Sequence, residues 1–290
     1  MRVLVTGGSG FLGSHVSDRL AELGHDVTVF DLVTTRSHRF IAGDLASLED
    51  LTGACRGIEA VCHLAAVGDV TVAVRDPRLA AERNVCGTIN VMEAGIRSGV
   101  ARMIYGSTWE VYGEPRYAPL DEAHPTSPEH PYSITKLAGE QVALFYQRVH
   151  GLPVVSLRLG TAFGRRMRPT SVFCRFIAAA ADGQPITIEG SGLQTRQFTH
   201  ARDIANAFTL ALTSTVSGEV FNIVAAETVS IRQLAEAVVA RLPTEIVYKP
   251  PRAADVPVAT VSSAKAERVL GWIPSVSFAA GLSDMLSQDT

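Results

Sequence analysis

The sequence has few cysteines, few aromatic residues and no large excess of charge of either sign. Its 290 residues contain four cysteines, 7 % aromatic residues and a formal net charge of −3. A chain so close to neutral offers no overall attraction to nucleic acid or to an anionic membrane, so we expect neither as a partner. The longest apolar runs fall far short of the roughly 20 residues that cross a bilayer. Because the first residues enter a predicted strand, we expect no signal peptide and a cytoplasmic location.

The cysteines are Cys55, Cys62, Cys86 and Cys174, and their spacing matches no metal-binding pattern. We expect them to be reduced, mostly buried thiols, as is usual in a cytoplasmic protein. The sequence therefore predicts neither a disulfide bond nor a metal site. Apolar residues make up 47 % of the chain, which is ordinary for a globular protein with a sizeable core.

Short apolar runs alternate with helical stretches through the first half of the chain. This rhythm predicts an α/β fold with a doubly wound, Rossmann-type parallel sheet. After Gly160 the pattern changes to that of a smaller mixed α/β domain, so we expect domains over 1–160 and 161–290, with some later segments returning to the first. The predicted strands are 2–6, 27–30, 39–41, 60–63, 101–106, 153–159, 186–188 and 196–199. The predicted helices are 11–23, 47–54, 78–99, 132–150, 171–183, 201–213 and 230–241.

The glycine-rich segment TGGSGFLGSH follows the first predicted strand and opens the first predicted helix. Gly7 permits a tight turn, Gly10 lets the backbone approach a pyrophosphate, and Gly13 lets the helix pack closely on the sheet. Free N–H groups at the helix N-terminus favour phosphate binding. The alternative is a glycine-rich turn that holds no ligand.

Asp31 ends the second predicted strand and bears on which dinucleotide the glycine loop holds. A carboxylate at this position accepts hydrogen bonds from both adenosine ribose hydroxyls and repels a 2′-phosphate, which favours NAD over NADP. Arg36 and Arg39 lie nearby in the sequence and weaken this preference.

Two further polar residues each have two interpretations. Asp44, in GDL, is placed either to reach the adenine or to cap the next predicted helix. Asn84 lies inside a long predicted helix, where asparagine is mildly unfavourable. It either anchors backbone or water near Lys136 or is an ordinary surface residue.

Tyr132 and Lys136, in PYSITK, are four residues apart and so lie on one face of a predicted helix. Tyrosine, with its usual pKa of about 10, is a poor base at pH 7. An ammonium one turn away, together with a cationic nicotinamide ring, stabilises the phenolate and lowers that pKa. The spacing alone is equally typical of an ordinary amphipathic helix. The segment GSTWEVYG favours the catalytic interpretation, because it places Ser107, Thr108 and Glu110 at the carboxyl end of a parallel strand, where ligands bind.

These residues together resemble the extended short-chain dehydrogenase/reductases, and in particular the NAD-dependent sugar-nucleotide epimerase/dehydratase family. The resemblance covers nearly the whole chain. Its markers are TGGSGFLGSH, Asp31, GDL at 43–45, HLAA at 63–66, Asp76-Pro77, NVCGTIN at 84–90, STWEVYG, YSITK, LRLGTAFGRRM, GSGLQTRQFTHARDIANA at 190–207, FNI at 221–223, RAADV at 252–256 and LGW at 270–272.

The resemblance implies bound NAD that is used and regenerated within one turnover. By that analogy Tyr132 takes the proton from a sugar hydroxyl, usually at C4, Thr108 steadies the oxygen, and Lys136 lowers the tyrosine pKa. The resulting 4-keto sugar is reduced on its other face by an epimerase, whereas a dehydratase or decarboxylase acts on it before reduction. The family also implies a homodimer, in which the predicted helices 78–99 and 132–150 form a four-helix bundle with their symmetry mates.

The resemblance also implies which residues form the two binding sites. Arg196 and Arg252 match positions that hold the nucleotide diphosphate, for which bidentate guanidinium contacts are suited. The substrate-binding residues are Thr108, Tyr132, Thr161, Ser171, Arg196 and Arg252. The cofactor-binding residues are Gly7, Gly10, Phe11, Leu12, Gly13, Asp31, Leu32, Asp44, Leu45, Leu64, Ala65, Ala66, Asn84, Ser107, Tyr132 and Lys136.

Trp109 departs from the family pattern, because dehydratases usually carry there the Asp of an Asp-Glu acid–base pair. Elimination of water needs a proton donor for the leaving hydroxyl, so the missing acid argues against a 4,6-dehydratase. Glu110 is retained, as it also is in uronate decarboxylases, so that reaction stays an alternative. The other interpretation of Glu110 is a structural role.

A second departure lies in the segment that follows the last predicted strand of the first half. Thr161 stands where the family commonly has Asn, and Arg165 where it has Pro. Together with Arg166 and Arg168, Arg165 makes this loop basic. The three arginines either meet a diphosphate or a uronate carboxylate, or form a solvated basic loop.

The sequence therefore favours an NAD-dependent UDP-sugar 4-epimerase, because epimerisation needs no acid at position 109. Decarboxylation of a UDP-uronate, a 4,6-dehydratase-like reaction and 4-ketosugar reduction are alternatives within the enzyme class. A non-catalytic NAD sensor is disfavoured, because the Tyr/Lys pair is intact.

Overall fold

The computed structural model describes residues 1–35, 37–250 and 259–287. Twelve strands lie in this part of the chain. They are β1 (Arg2–Thr6), β2 (Asp26–Asp31), β3 (Arg39–Ala42), β4 (Ala60–His63), β5 (Arg102–Thr108), β6 (Val154–Leu159), β7 (Thr161–Phe163), β8 (Ile186–Glu189), β9 (Thr195–His200), β10 (Glu219–Ile223), β11 (Thr228–Ser230) and β12 (Ile246–Lys249).

Eleven α-helices lie in the same described residues, with a π-helical turn and a 3₁₀ turn between them. The π-helical turn is Glu82–Cys86 and the 3₁₀ turn is Trp109–Tyr112. The helices are α1 (Phe11–Glu22), α2 (Leu48–Ala54), α3 (Val70–Arg75), α4 (Pro77–Ala81), α5 (Gly87–Ser98), α6 (Pro131–His150), α7 (Val172–Ala181), α8 (Ala201–Thr213), α9 (Ile231–Val239), α10 (Ala264–Leu270) and α11 (Phe278–Leu286).

Seven parallel strands form the central sheet, in the order β10-β6-β5-β4-β1-β2-β3. From β1 the strands are added first on one side (β2, β3) and then on the other (β4, β5, β6), so the strand order reverses between β1 and β4. In such sheets ligands bind in the crevice beyond the carboxyl ends of the strands at this point. Val3, Leu4 and Val5 are wholly buried. Such a continuous apolar run is expected of a strand that is covered on both faces. The predicted doubly wound fold is confirmed.

Each face of the central sheet carries its own hydrophobic core. On one face α1 and α8 pack on β1, β4 and β5, and Phe208 and Trp272 fill the space between them. On the other face α2, α5 and α6 cover the sheet, with Met92 and Tyr105 at the centre. Burying one such large side chain contributes about 1.5–3 kcal/mol. These two layers fix the helix that carries Tyr132 against the strand that carries Thr108.

A second lobe lies at the carboxyl ends of the strands. It contains the three-stranded sheet β11-β9-β7, the pair β12-β8, and the helices α7, α9 and α11. Aromatic rings, with Phe163 and Phe173 stacked at 5.1 Å between centroids, form its core. The chain then returns to the first sheet, because β10 pairs with β6 and α10 packs on β10. The domain boundary at residue 160 stays a prediction.

All six strands predicted for the first half are present, as are the predicted helices, with shifts of one or two residues at their ends. The exception is the helix predicted over 78–99, which is divided into α4, the π-helical turn and α5. β7, β10, β11, β12, α3, α10 and α11 were not predicted. Most are three to seven residues long, too short for a hydrophobic period to stand out.

All four cysteines are free thiols. Cys55 and Cys62 are buried as expected, whereas Cys174 is half-buried and Cys86 is exposed. Burial raises the pKa of the Cys55 thiol to about 11 and that of Cys62 to about 12. Both buried thiols therefore stay protonated near neutral pH and act as small apolar residues.

Candidate active site

The glycine loop between β1 and α1 is built so tightly that side chains would not fit. Gly7 has a φ of +73°, and a Cβ there would lie 2.6 Å from the backbone nitrogen of Ala65. A Cβ on Gly13 would overlap the Gly7 carbonyl oxygen. Gly10 precedes α1 and supplies no side-chain cap. The first N–H groups of α1 therefore point into a glycine-lined cradle that suits a phosphate.

Asp31 faces this cradle from the end of β2. Its carboxylate accepts a hydrogen bond from the Ser9 N–H at 3.1 Å and another from the Val33 N–H at 3.2 Å. Each carboxylate oxygen has more than one lone pair, so both still have capacity to accept from ribose hydroxyls. The predicted position of Asp31 beside the loop is therefore the observed one.

Asp44 does not cap α2, since Ser47 does so by accepting a hydrogen bond from the Asp50 N–H. The capping interpretation of Asp44 is therefore wrong. Its carboxylate pairs instead with Arg83, while the adjacent Leu45 is buried against Gly87.

Asn84 is buried in the π-helical turn and not on the surface, so its surface interpretation is wrong. Its carbonyl oxygen accepts from the Val67 N–H at 2.7 Å, and its amide donates to the Thr135 hydroxyl at 3.0 Å. Thr135 directly precedes Lys136. Asn84 therefore ties the loop after β4 to the helix that bears the Tyr/Lys pair, as the anchoring interpretation predicts.

The remaining predicted cofactor residues surround the same crevice. The Ser107 hydroxyl oxygen is buried at the end of β5 and has no hydrogen-bond partner among the described residues. Such an orphaned polar atom fits a site that a ligand completes. Phe11 and Leu12 lie in the first turn of α1, Leu32 follows Asp31, and Leu64, Ala65 and Ala66 follow β4 beside the glycine loop.

Tyr132 and Thr108 meet at the carboxyl end of β5. Thr108 is buried, and its hydroxyl lies near enough to the partly buried Tyr132 phenol to influence its pKa. Lys136 lies one turn further along α6 and is 4 % exposed. Its ammonium sits 4.3 Å from the centroid of the buried Tyr105 ring, a cation–π contact. The structure thus brings three of the four predicted catalytic residues to one place, and the fourth, Glu110, lies in the turn that follows Thr108.

Burial and then the charge of Glu110 raise the pKa of Tyr132 above its usual value, and the nearby Thr108 hydroxyl and the Arg168 charge offset this only in part. Burial also lowers the pKa of Lys136 to about 7, against an opposing effect of Glu140. That Lys136, together with a cationic nicotinamide ring, lowers the Tyr132 pKa stays a prediction.

The low pKa of Lys136 makes the stability of the protein depend on pH. An unfolded lysine keeps its proton up to about pH 10.4, whereas the folded one loses it near pH 7. Between these values the unfolded state binds more protons, so the free energy of unfolding rises with pH. We expect the wild type to gain roughly 1 kcal/mol per pH unit over Lys136→Met between pH 7 and 9. Urea unfolding at matched cofactor content measures this, and equal slopes would contradict the lowered pKa.

Glu110 lies in the 3₁₀ turn after β5, close to Tyr132. Its backbone N–H donates to the Thr108 hydroxyl at 3.3 Å, and its carboxylate lies 3.3 Å from Nε2 of His130. The His130 ring stacks almost parallel to the Tyr132 ring, with 6.0 Å between centroids. Sequence reasoning missed His130, although its place two residues before Tyr132, at the start of the predicted helix, was a signal.

Two of the predicted substrate-binding residues line a narrow cleft between the lobes. Its wall is formed by Trp109, Thr161, Arg196, Gln197, Val224 and Val261. Thr161 and Arg196 are thus brought together beside Trp109, as expected for a shared subsite. Ser171 caps α7, where its hydroxyl accepts from the Cys174 N–H at 3.2 Å. Arg252 lies outside the described residues, as does Arg36.

The three arginines of the basic loop are neither free nor merely solvated. Each pairs with a carboxylate of a different element: Arg165 with Asp284 on α11, Arg166 with Asp18 on α1, and Arg168 with Asp69 before α3, at 2.9, 2.7 and 2.6 Å. All three side chains also keep contact with solvent, with exposures of 32, 44 and 54 %, so both interpretations of the loop stay open. Arg168 alone lies close enough to the reactive centre for its charge to act on Tyr132.

Two predicted absences concern metal ions and membranes. Within residues 1–35, 37–250 and 259–287, no group of three or more His, Cys, Asp or Glu side chains converges to hold a metal ion. None of the helices in the described part of the chain is long and apolar enough to cross a membrane.

Comparison with known proteins places this site in context. Residues 3–224 match the NAD dependent epimerase/dehydratase family. A putative UDP-glucose 4-epimerase of Methanocaldococcus jannaschii is 32 % identical over 299 residues, covering 98 % of this chain and 97 % of that protein. The UDP-glucose 4-epimerase of Thermotoga maritima, solved with UDP-glucose, is 32 % identical with a TM-score of 0.93 and coverage of 99 % and 98 %. MoeE5, solved with UDP-glucuronic acid and NAD, is 32 % identical with a TM-score of 0.92 and the same coverage.

Proposed function

The chain belongs to the NAD-dependent epimerase/dehydratase family, and from this premise we propose that it is a UDP-sugar 4-epimerase that works through a transient 4-keto sugar. The observation that carries the proposal is the place of the Tyr132 phenol, near the Thr108 hydroxyl at the end of β5 and one helical turn before the buried Lys136. Epimerisation requires a base at the sugar hydroxyl and a donor to its oxygen. It requires no acid at position 109, where this chain has tryptophan.

We propose that the crevice at the carboxyl ends of the strands holds NAD. The glycine cradle suits the pyrophosphate, Asp31 suits the adenosine ribose, and the orphaned Ser107 hydroxyl lies toward the catalytic end. When it is bound, NAD supplies the reversible hydride acceptor that the reaction needs. The proposed contacts are Gly7, Gly10, Phe11, Leu12, Gly13, Asp31, Leu32, Asp44, Leu45, Leu64, Ala65, Ala66, Asn84, Ser107, Tyr132 and Lys136.

The proposed roles of the protein's own groups follow from their positions. Tyr132 accepts the proton of the C4 hydroxyl and later returns it to the oxygen. Thr108 donates a hydrogen bond to that oxygen, since its side chain already reaches the Tyr132 phenol. Lys136, when protonated, stabilises the phenolate from one helical turn away. Thr161, Ser171, Arg196 and Arg252 are the proposed substrate contacts.

A second candidate substrate class is a UDP-uronate. The observation that favours it is Arg168, whose guanidinium charge acts on Tyr132 and whose partner Asp69 belongs to the facing lobe. A substrate carboxylate is able to replace Asp69 as the partner of this guanidinium. The reaction on such a substrate is either 4-epimerisation or decarboxylation, and Glu110 is then the candidate for a further acid–base role.

The experiment is a product analysis on purified enzyme loaded with NAD. UDP-glucose, UDP-galactose, UDP-glucuronate, UDP-N-acetylglucosamine and their dTDP and GDP counterparts are incubated separately, and products are separated and weighed by mass spectrometry. A product of unchanged mass and altered retention supports the epimerase and identifies its substrate. A product lighter by carbon dioxide supports the decarboxylase, and one lighter by water supports a dehydratase; either result would overturn the epimerase proposal.

We also propose that the protein is a homodimer through a four-helix bundle of α5 and α6. Large apolar side chains on these adjacent helices face outward at helical spacing, which is unusual for an unpartnered surface. They are Ile89, Ile96, Ile134, Phe145 and Val149, with exposures of 37, 36, 49, 45 and 59 %.

A cytoplasmic location stays a prediction.

The dimer makes a prediction for one exposed ring. We expect Phe145→Glu to yield a monomer, because a charge cannot be buried unpaired in an apolar interface. Light scattering at micromolar concentration measures the mass. Leu193→Glu is the matched control, since Leu193 is similarly exposed at 62 % but lies in the second lobe. A wild-type protein with the mass of one chain would reject the dimer.

A further inference from the structure

His130 occupies an unusual place for a histidine, at the N-cap of the helix that presents Tyr132 and Lys136. Its Nδ1 accepts a hydrogen bond from the Ser133 N–H at 3.3 Å, and the Ser133 hydroxyl completes a reciprocal capping box. Caps are usually Ser, Thr, Asp or Asn, whose short side chains end at the cap itself. An imidazole has a second nitrogen that reaches beyond the cap.

The cap determines which ring nitrogen carries the proton. Because Nδ1 accepts from Ser133, a neutral His130 must carry its hydrogen on Nε2. Nε2 is the atom that lies 3.3 Å from the Glu110 carboxylate. The ring therefore presents a donor to an anion on one side while it accepts from the helix on the other.

The Glu110 carboxylate has a buried oxygen for which His130 is the neighbouring donor. Its Oε2 atom is inaccessible to solvent and makes no hydrogen bond of good geometry to the described residues. A carboxylate oxygen withdrawn from water needs a compensating donor or positive charge. His130 lies within reach to provide one.

Tyr132, Thr108, Glu110 and His130 lie next to one another in a closed ring of four residues. The Thr108 hydroxyl lies near the Tyr132 phenol and accepts a hydrogen bond from the Glu110 backbone N–H. The Glu110 carboxylate approaches His130, and the His130 ring stacks on Tyr132 at an interplanar angle of 8°. His130 is thus the point at which the start of α6 is joined to the end of β5. A shift of this joint would move the phenol relative to Thr108.

We propose that His130 is a positioning residue for the tyrosine base: it holds Glu110 against the N-terminus of α6 and thereby keeps the Tyr132 phenol on the Thr108 hydroxyl. This inference rests on the proposed function for its kinetic consequence, but its structural content is independent of substrate. His130 touches neither the reacting hydroxyl nor the sugar in this role. It acts through Tyr132 and Glu110.

His130→Asn is the informative variant, because asparagine is an excellent N-cap and so preserves the helix, but it is too short to reach Glu110 or to stack on Tyr132. We expect kcat to fall about ten- to a hundredfold, since small displacements of a reacting group have effects of that size. KM, cofactor content and the midpoint of thermal unfolding should stay close to those of the wild type. Glu129→Gln, which removes an exposed carboxylate at the adjacent position, is the matched control.

A double-mutant cycle identifies the route of the effect. Glu110→Ala should lower kcat by a similar factor, and Glu110→Gln by less, because its amide oxygen keeps an acceptor beside the Nε2 atom of His130. The double variant His130→Asn/Glu110→Ala should lose no more than either single one, since both break the same joint. Additive losses, or a His130→Asn enzyme with wild-type kcat, would overturn the proposal.

A measurement without substrate separates this proposal from the proposed function. Protein labelled with 3-fluorotyrosine gives a ¹⁹F resonance for Tyr132, assigned by its absence from Tyr132→Phe. We expect that resonance to shift in His130→Asn and in Glu110→Ala, and not in Glu129→Gln. An unmoved resonance overturns the positioning role even in an active enzyme. A moved resonance in a protein that turns over no sugar nucleotide supports the role and rejects the proposed function instead.

Discussion

Tyr132→Phe should abolish turnover while leaving NAD binding and the fold intact. The substitution removes only the phenolic oxygen of a partly buried side chain, which lies near the Thr108 hydroxyl at the end of β5. A positioned acid–base group contributes about 10²–10⁴-fold to a rate, so we expect kcat to fall by about 10³-fold. Steady-state assay on the substrate found in the product analysis measures kcat, and absorbance of released nucleotide measures the NAD content.

Tyr146→Phe is the control for that result. Tyr146 lies on the same helix, and its hydroxyl is bonded to Glu93 at 3.1 Å, away from the crevice. We expect this variant to keep the wild-type kcat. Should Tyr132→Phe retain more than a tenth of the wild-type rate, Tyr132 is not the base. A non-catalytic NAD sensor would instead keep its biological function in Tyr132→Phe.

Arg158→Leu should destabilise the protein by about 3–5 kcal/mol, because it leaves a buried carboxylate without its partner. The Arg158 and Glu140 side chains are 6 and 0 % exposed, and the guanidinium approaches the carboxylate through two nitrogens, at 2.6 and 3.1 Å. Ser156 donates a further hydrogen bond to the same carboxylate, and the guanidinium lies 4.8 Å from the centre of the Tyr112 ring. Urea unfolding at pH 7 measures the loss of stability.

The double variant Glu140→Leu/Arg158→Leu tests the cause of that loss. Since it removes both charges, it should recover most of the stability that Arg158→Leu forfeits. The exposed pair Arg78–Glu82, at 88 and 53 % exposure, supplies the comparison, and Arg78→Leu should change stability by less than about 1 kcal/mol. If Arg158→Leu also lowered the free energy of unfolding by less than about 1 kcal/mol, the buried ion pair would not stabilise the protein as the structure indicates.

The parts of the fold that could be predicted from sequence are those with a local signal. The glycine loop, Asp31 at the end of β2 and the Tyr132/Lys136 pair all depend on residues close together in the chain, whose spacing has a direct geometric meaning. The Thr108 position followed because parallel strands end at a common edge. The structure places each of these where the sequence predicts.

The features that escaped prediction depend on partners far apart in the chain. Arg168 pairs with Asp69 across 99 residues, and no pattern near either residue indicates the other. The role proposed for His130 depends on Glu110, which lies on another element, so the sequence around His130 does not indicate it. The burial that raises the Tyr132 pKa likewise comes from segments distant in the sequence, and no pattern near Tyr132 indicates it.

The order in which the chain is synthesised matters for this protein, because the sheet is completed out of sequence. β6 ends at Leu159, but its neighbour β10 begins only at Glu219, after β7, α7, β8 and β9 of the second lobe. Until then one edge of β6 is open, and until α8 has been synthesised the face that its Ile204, Phe208 and Leu212 cover is also bare. A nascent chain, or a fragment that stops near residue 160, is therefore exposed to aggregation, and the nucleotide-binding half should mature only once the ribosome has delivered β10.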